Sequence, residues 1–190
     1  MTKTLRLGVL ALVALSALAL VTAAVAHRVV TIKGTNQGET LTGTAGPDRI
    51  FARGGDDTVN AGEGNDRVHG GRGNDTLNGE GGNDHVWGGP DNDTVNGGAG
   101  NDVLRGRWGN DTVNGDAGDD RIWAGRGADI VNGGDGNDRI HILARDRMVD
   151  TVDCGAGNDV IWVNSKENTD VYINCETVKT VKTSHPDDGE

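Results

Sequence analysis

Residues 97–105 read Gly-Gly-Ala-Gly-Asn-Asp-Val-Leu-Arg, and copies of this nine-residue pattern run through most of the chain. In most copies a glycine stands two residues before an aspartate, and an aliphatic residue stands two residues after it. The aspartates recur every nine residues without a slip, at Asp48, Asp57, Asp66, Asp75, Asp84, Asp93, Asp102, Asp111, Asp120, Asp129 and Asp138. Glu39 occupies the same phase one repeat earlier. The chain therefore consists largely of an internal nine-residue repeat, and this repeat determines the fold.

Each copy predicts one tight turn followed by one short strand. Glycine tolerates the positive φ angles of a tight turn. The three residues around each aliphatic residue are too few for a helix and suit a strand whose middle side chain faces inward. One inward apolar residue per nine gives a thin core, so a single repeat is not stable alone and neighbours must stack. Stacked strands lie roughly 4.8 Å apart.

A second period of 18 residues lies within the first. Alternate strands read like Thr94-Val95-Asn96, and those between them read like Arg121-Ile122-Trp123. Two nonapeptides per turn place odd and even repeats on opposite sheets. The columns of Thr and Asn are explained by β-propensity and by side-chain hydrogen-bonded ladders. Ordering of water or ice by these columns is the alternative. The Arg/Trp columns favour cross-strand stacking, with docking of a partner as the alternative.

The repeat resembles the RTX, or haemolysin-type, calcium-binding nonapeptide, from about Gly34 to Val178. The resemblance implies an all-β, right-handed parallel β-roll with calcium between loops on one edge, joining repeat i to repeat i+2. It implies that the eleven aspartates above are metal ligands, and adjacent pairs give up to nine sites. Calcium prefers several oxygen ligands, including carboxylates and carbonyls. The alternative is that these aspartates only cap turns.

The N-terminal residues 1–26 are typical of a secretion signal. Lys3 and Arg6 precede an apolar stretch from Leu7 to Val21, and 24–26 read Ala-Val-Ala. An uncleaved membrane anchor is the alternative. Cleavage would leave a mature chain from His27, with no membrane segment, in the extracellular medium.

The composition and net charge of the chain restrict the class of binding partner. The chain has 32 glycines and a formal net charge of −11. Removing Lys3 and Arg6 leaves 16 basic against 29 acidic side chains, a net charge of −13. This acidity argues against nucleic-acid binding, which needs a basic footprint, and favours a cation.

The phase of the repeat slips by three residues between Ile140 and Asp150. Two copies then resume, and a last strand is expected around Tyr172. Cys154 and Cys175 fall at similar offsets on neighbouring turns, so we expect a disulfide that closes the C-terminal end; two unpaired thiols are the alternative. The β-roll would span 27–178, and 179–190 would form a mobile tail.

No catalytic constellation is recognisable in the sequence. There is no H-E-x-x-H zinc-peptidase motif, and the serines and histidines are scattered. We therefore expect a non-enzymatic, calcium-binding extracellular protein. The alternative is an adhesion module that binds a polysaccharide or cell surface through the Trp/Arg sheet, and an enzyme ranks third.

Overall fold

A computed structural model describes residues 28–142, 146–164 and 170–181, and the elements in these ranges are all β-strands. The odd-numbered strands form a nine-stranded sheet, named here the odd sheet: β1 (Val30–Lys33), β3 (Asp48–Gly54), β5 (Arg67–Arg72), β7 (His85–Pro90), β9 (Val103–Trp108), β11 (Arg121–Arg126), β13 (Arg139–Ile142), β15 (Val160–Asn164) and β17 (Thr177–Val181). The even-numbered strands form an eight-stranded sheet, the even sheet: β2 (Thr40–Thr42), β4 (Thr58–Asn60), β6 (Thr76–Gly81), β8 (Thr94–Ala99), β10 (Thr112–Ala117), β12 (Ile130–Asn132), β14 (Thr151–Asp153) and β16 (Val171–Ile173).

All strand pairs are parallel, and most are offset by 18 residues. Val86 of β7, for example, pairs with Val68 on one side and Leu104 on the other. The chain thus passes once through each sheet per turn, so the predicted parallel β-roll with two nonapeptides per turn is confirmed. No helix in the described ranges has the length and apolarity needed to cross a bilayer.

The core lies between the two sheets as two facing columns of aliphatic side chains. Val68 and Leu104 from the odd sheet and Leu77 and Val95 from the even sheet all have no exposed surface. The columns run from Ile50 to Ile161 and consist of the residue that each repeat places inward. Small residues such as Ala52 and Ala124 complete the core where the strands enter the turns.

The C-terminal end keeps the roll in register across the three-residue slip. Thr151 of β14 pairs with Ile130, 21 residues earlier, so one turn is enlarged while strand pairing continues. Within the insertion, Oδ2 of Asp146 accepts a hydrogen bond of 2.7 Å from the backbone N–H of Gly127.

The expected disulfide is present. Cys154 and Cys175 are joined, with their Cα atoms 5.1 Å apart. Their strands β14 and β16 are neighbours, with Val152 opposite Tyr172. The extra residue before Cys175 is accommodated at Asn174, whose φ is 54°.

The strand expected around Tyr172 is present as β16, but it is followed by a further strand, β17, and is therefore not the last. β17 pairs with β15 and ends at Val181, three residues beyond the predicted end of the roll at 178. The expected signal segment 1–26 and the rest of the expected tail, 182–190, lie outside the described residues.

Candidate metal centre

The predicted ligands all lie at the points where the turns enter the strands. Each of the eleven aspartates from Asp48 to Asp138 is buried, with at most 2% of its surface exposed. Aspartate is rarely buried unless its charge is compensated. Burial of the whole set therefore requires a partner that the turns must supply or bind.

One oxygen of each internal carboxylate is used by the backbone of the preceding turn. The N–H of Asp84 donates to Oδ1 of Asp102 over 2.7 Å, and the N–H of Asp102 donates to Oδ1 of Asp120 over 2.8 Å. On the other edge the N–H of Asp75 donates to Oδ1 of Asp93 over 2.9 Å. These bonds form two carboxylate ladders, one along each edge of the roll, in which each rung is one turn from the next.

The second oxygen of nearly every rung has no partner. Eleven buried Oδ2 atoms, those of Asp57, Asp66, Asp75, Asp84, Asp93, Asp102, Asp111, Asp120, Asp129, Asp138 and Asp159, have no hydrogen-bond donor. In the first turn the orphaned atom is Oδ1 of Asp48, because its Oδ2 accepts the N–H of Thr44. A buried charged oxygen without a partner is among the most costly groups in a protein.

Glycine leaves room beside each orphaned oxygen. A Cβ built at Gly79 would collide with Oδ2 of Asp84 and with the carbonyl oxygen of Gly97 on the next turn. The same relation holds at Gly97, where a Cβ would collide with Oδ2 of Asp102 and the carbonyl of Gly115. Carboxylate and carbonyl oxygens thus converge where no side chain intrudes.

The donor set at these points fits calcium. It consists of oxygens from carboxylates and carbonyls, which are the ligands of hard divalent cations. In the described part of the chain, no group of three or more His, Cys, Asp or Glu side chains converges to hold a metal ion by side chains alone. A cation here would therefore be held by few carboxylates supplemented by backbone carbonyls.

The electrostatics agree with the geometry. Burial, aided by neighbouring carboxylates along the ladder, raises the pKa of Asp84 to about 7 and that of Asp120 to about 8. On the other edge burial raises the pKa of Asp93 to about 8 and that of Asp111 to about 7. A carboxylate with a raised pKa is one whose charge lacks a counter-charge. A bound cation would supply that counter-charge.

Four further acidic residues continue the ladders and were not among the predicted ligands. The N–H of Asp129 donates to Oδ1 of Asp150, and the N–H of Asp138 donates to Oδ1 of Asp159. Beyond them the N–H of Asp150 reaches Asp170, and that of Asp159 reaches Oε2 of Glu176. Each stands directly before a strand, as do ten of the eleven, and that position is the signal that could have identified them.

Two parallel sheets joined by turns whose carboxylates are spaced one turn apart define a calcium-binding repeat protein of the β-roll class. The RTX calcium-binding nonapeptide repeat matches the chain in four copies, over residues 33–68, 61–95, 69–104 and 105–140. The chain belongs to this family. No curated protein matches it.

Proposed function

We propose that the eleven aspartates from Asp48 to Asp138, together with Asp150 and Asp159, bind a row of calcium ions along each edge of the roll, and that this binding drives folding. The observation that carries the proposal is the set of orphaned, buried Oδ2 atoms, repeated on successive turns beside glycine carbonyls. Asp150 and Asp159 add one adjacent pair to each edge beyond the nine pairs expected from the sequence.

Capping of turns explains the role of only one carboxylate oxygen in each aspartate. The Oδ1 atoms do accept backbone N–H groups, as a capping residue would. An asparagine could make the same hydrogen bond without carrying a buried charge. Occupation of this position by aspartate in every repeat is therefore better explained by a cation at Oδ2.

Export is the second part of the proposal. Residues 1–26 have the order of a secretion signal, and the Cys154–Cys175 disulfide is suited to an oxidising compartment. Extracellular calcium modules commonly bind at about 10⁻⁴–10⁻³ M. A site of that affinity would stay empty in a low-calcium cytoplasm and fill outside the cell. N-terminal sequencing of the exported chain should begin at His27, and retention of Leu7 to Val21 in a cell-bound product would contradict cleavage.

The proposed role is binding, without catalysis. The ladder carboxylates accept backbone N–H groups and, in the proposal, bind calcium. Two histidines of the odd sheet, His69 and His141, stack between rings, and burial lowers the pKa of both. Neither is placed as a general base beside a nucleophile.

Calcium titration with a stoichiometric readout tests the assignment of the ladders. We expect the mature protein to take up about one ion per adjacent carboxylate pair, on the order of ten in all. One or two ions per chain would reduce the ladders to turn caps. The variant Asp84→Asn keeps an acceptor for the N–H of Asp66 and should bind fewer calcium ions. The control Asp56→Asn, at an exposed position, should bind as many calcium ions as the unchanged protein.

An adhesion module is the second candidate function, favoured by the different chemistry of the two sheets. Arginine and aromatic side chains occupy the odd sheet, and threonine and asparagine the even sheet. Side chains of Asn78, Asn96 and Asn114 are hydrogen-bonded to one another along the even sheet at 2.7 Å, which favours a packing role for that sheet.

A further inference from the structure

The basic side chains of the strands are confined to one sheet. Eleven Lys and Arg residues lie in strands of the odd sheet, and the described strands of the even sheet have none. They are Lys33, Arg49, Arg53, Arg67, Arg72, Arg105, Arg107, Arg121, Arg126, Arg139 and Lys179. Among acidic residues the strands of the odd sheet contain only Asp48, and its side chain is buried. A protein of net charge −11 thus has one sheet whose exposed charged strand residues are all basic, and its outward side is named here the basic face.

Arginine occupies strained positions on this face. Arg53 and Arg107 have φ angles of 85° and 92°, and they share a column with Gly71, Gly89 and Gly125, which also have positive φ. A side chain at such a position is strained relative to glycine.

The equivalent column of the even sheet shows the opposite charge. There the two strained residues among the glycines are Glu80 and Asp116, with φ of 72° and 70°. Within these two columns, the side chains that replace glycine are basic on the odd sheet and acidic on the even sheet. The strain accompanies a charge that suits the face, and this points to a role for the arginines outside the fold.

A stacked ladder runs along the middle of the basic face. Its members are Phe51, His69, Trp87, Arg105, Trp123, His141, Trp162 and Lys179. Neighbouring rings are parallel within 5°, with centroids 4.4–5.1 Å apart. Arg105 lies over Trp123 and Lys179 over Trp162, at 4.8 and 5.0 Å.

This stacking decides what kind of partner the ladder can bind. The faces of the inner rings are covered by their neighbours, so a sugar ring has no open aromatic face on which to stack. The ladder instead forms a stiff base between two rows of arginines. One row contains Arg49, Arg67, Arg121 and Arg139, and the other contains Arg53 and Arg107. Four residues along a strand separate the rows by roughly 13 Å.

Two arginines of this face have donors that no described residue satisfies. The Nε atoms of Arg105 and Arg107 are buried and have no hydrogen-bond acceptor. Burial, and then the charge of Arg107, lowers the pKa of Arg105. Burial and nearby arginines also lower the pKa of His69 and of His85. The face therefore has a positive potential and unsatisfied donors.

We propose that the basic face binds a linear acidic polysaccharide, with carboxylate or sulfate groups, that lies along the axis of the roll. Within one row, adjacent arginines such as Arg49 and Arg67 are one turn apart, roughly 4.8 Å, a spacing close to the length of one sugar unit. Guanidinium groups bind carboxylate and sulfate oxygens through paired hydrogen bonds. Exposed acids at the turns, including Asp56 and Asp119, border the face and would repel a wide anionic surface such as a membrane or duplex DNA.

The inference rests on the proposed function, because the arginine rows exist only in the folded roll. The test uses the calcium-loaded mature chain with dextran sulfate and hyaluronate as sulfate and carboxylate probes, and unmodified dextran as the uncharged control. Binding of both charged polymers, no binding of dextran, and loss of binding in rising salt are expected, because salt screens exposed charges. Equal or tighter binding of duplex DNA or of phosphatidylserine vesicles would overturn the choice of polysaccharide.

A matched pair of variants locates the site. Arg67→Gln with Arg121→Gln should weaken binding about threefold to tenfold, since each exposed ionic contact is worth up to about 1 kcal/mol. Thr58→Glu with Thr94→Glu makes the net charge equally more negative on the even sheet and should change binding less than twofold. Equal loss in both pairs would mean that net charge alone governs binding and would overturn the assignment.

Circular dichroism of every sample separates the two proposals. A calcium-induced roll that binds neither charged polymer refutes this inference and leaves the proposed function intact. A roll that is fully formed in chelator refutes calcium-driven folding and leaves the polysaccharide assay decisive on its own.

Discussion

The backbone N–H of Asp84 donates a 2.7 Å hydrogen bond to Oδ1 of Asp102, its equivalent one turn later, while Oδ2 of Asp102 has no partner. One oxygen of this carboxylate thus accepts the backbone N–H of the neighbouring turn, and the other is a buried, charged atom without a counter-charge. Because the relation repeats along both edges, the roles of the two oxygens can be separated by substitution at a single position.

Asp102→Asn and Asp102→Ala should differ in a defined way. Asn retains an oxygen for the N–H of Asp84 but places an amide where Oδ2 stood, whereas Ala leaves that buried N–H unsatisfied. Both should raise the calcium midpoint, and Ala should additionally destabilise the calcium-loaded fold by about 1–3 kcal/mol. Denaturant unfolding in saturating calcium measures the difference. Glu39→Gln, at the first turn, is the control, and an equally large effect there would argue against cooperative ladders.

The stability of the calcium-free chain should depend on pH in the opposite sense from calcium binding. Burial raises the pKa of Asp84 to about 7 and those of Asp93 and Asp120 to about 8 in the fold, whereas an unfolded aspartate titrates near 3.9. Between those values the folded chain binds more protons than the unfolded chain, so stability falls as pH rises from about 4 to about 8.

In chelator, β structure measured by circular dichroism should therefore increase as pH falls from 8 to 5. In calcium, the same acidification should raise the calcium midpoint, because protons compete for the carboxylates. Calcium binding to the acid-induced roll at pH 5 should release protons, and binding without proton release would show that the ladder carboxylates are not the ligands.

Loss of the disulfide should loosen the C-terminal end without abolishing the roll. The Cys154–Cys175 bond closes a separation of 21 residues, which the chain-entropy model values at roughly 3 kcal/mol. Replacing both cysteines with serine should increase hydrogen exchange in β14 and β16, while β6 and β8 keep their protection. Uniform loss of protection would mean that the roll unfolds as one unit and that the bond stabilises all of it.

The repeat period, its 18-residue alternation and the family resemblance were enough to predict the parallel sheets and the 18-residue turn, whereas the burial of the aspartates was not predicted. The sheets and the turn follow from local chemistry that repeats at a fixed spacing, as at Asp84 and Leu77. The sequence could not identify Glu176 as the last rung, because it lies 17 residues after Asp159 and lacks the glycines of the repeat. For the same reason β17 extends past the predicted boundary at 178.

The ring stacking of the odd sheet was also only partly predictable. The sequence places Phe51, His69 and Trp87 in one outward column, which suggests cross-strand packing. Whether rings stack face to face or splay outward depends on their rotamers, and a spacing pattern contains no information on rotamers. That distinction matters, because stacked rings stabilise the sheet and leave no open face for a sugar.

Trp87→Leu tests the stacking directly. The ring of Trp87 lies 4.4 Å from that of His69, with an interplanar angle of 2°. Its removal should cost about 0.5–1.5 kcal/mol beyond the area lost, measured by denaturant unfolding of the calcium-loaded protein. Thr94→Leu on the even sheet is the control and should be nearly neutral. An equal cost in both variants would show that the ladder contributes nothing specific.

Calcium should act as the folding switch of the whole roll. The core consists of one inward apolar side chain per repeat, which is too little to offset backbone ordering of roughly 1–2 kcal/mol per residue. Without cations the two ladders place carboxylates one turn apart with eleven buried Oδ2 atoms unpaired. Ions bound between turns would remove that repulsion and cross-link successive repeats, so that binding free energy becomes folding free energy.

The chelated mature chain should therefore be largely disordered, and β structure should appear cooperatively as calcium rises. Magnesium should substitute poorly, because it requires a tighter octahedral geometry and retains its waters. Circular dichroism during parallel calcium and magnesium titrations is the measurement. A full β spectrum in excess chelator at pH 8, unchanged by calcium, would exclude the switch even though the roll itself was correct. Asp84→Asn should shift the calcium midpoint upward, since Asp84 lies near the middle of its ladder and joins the turns on both sides.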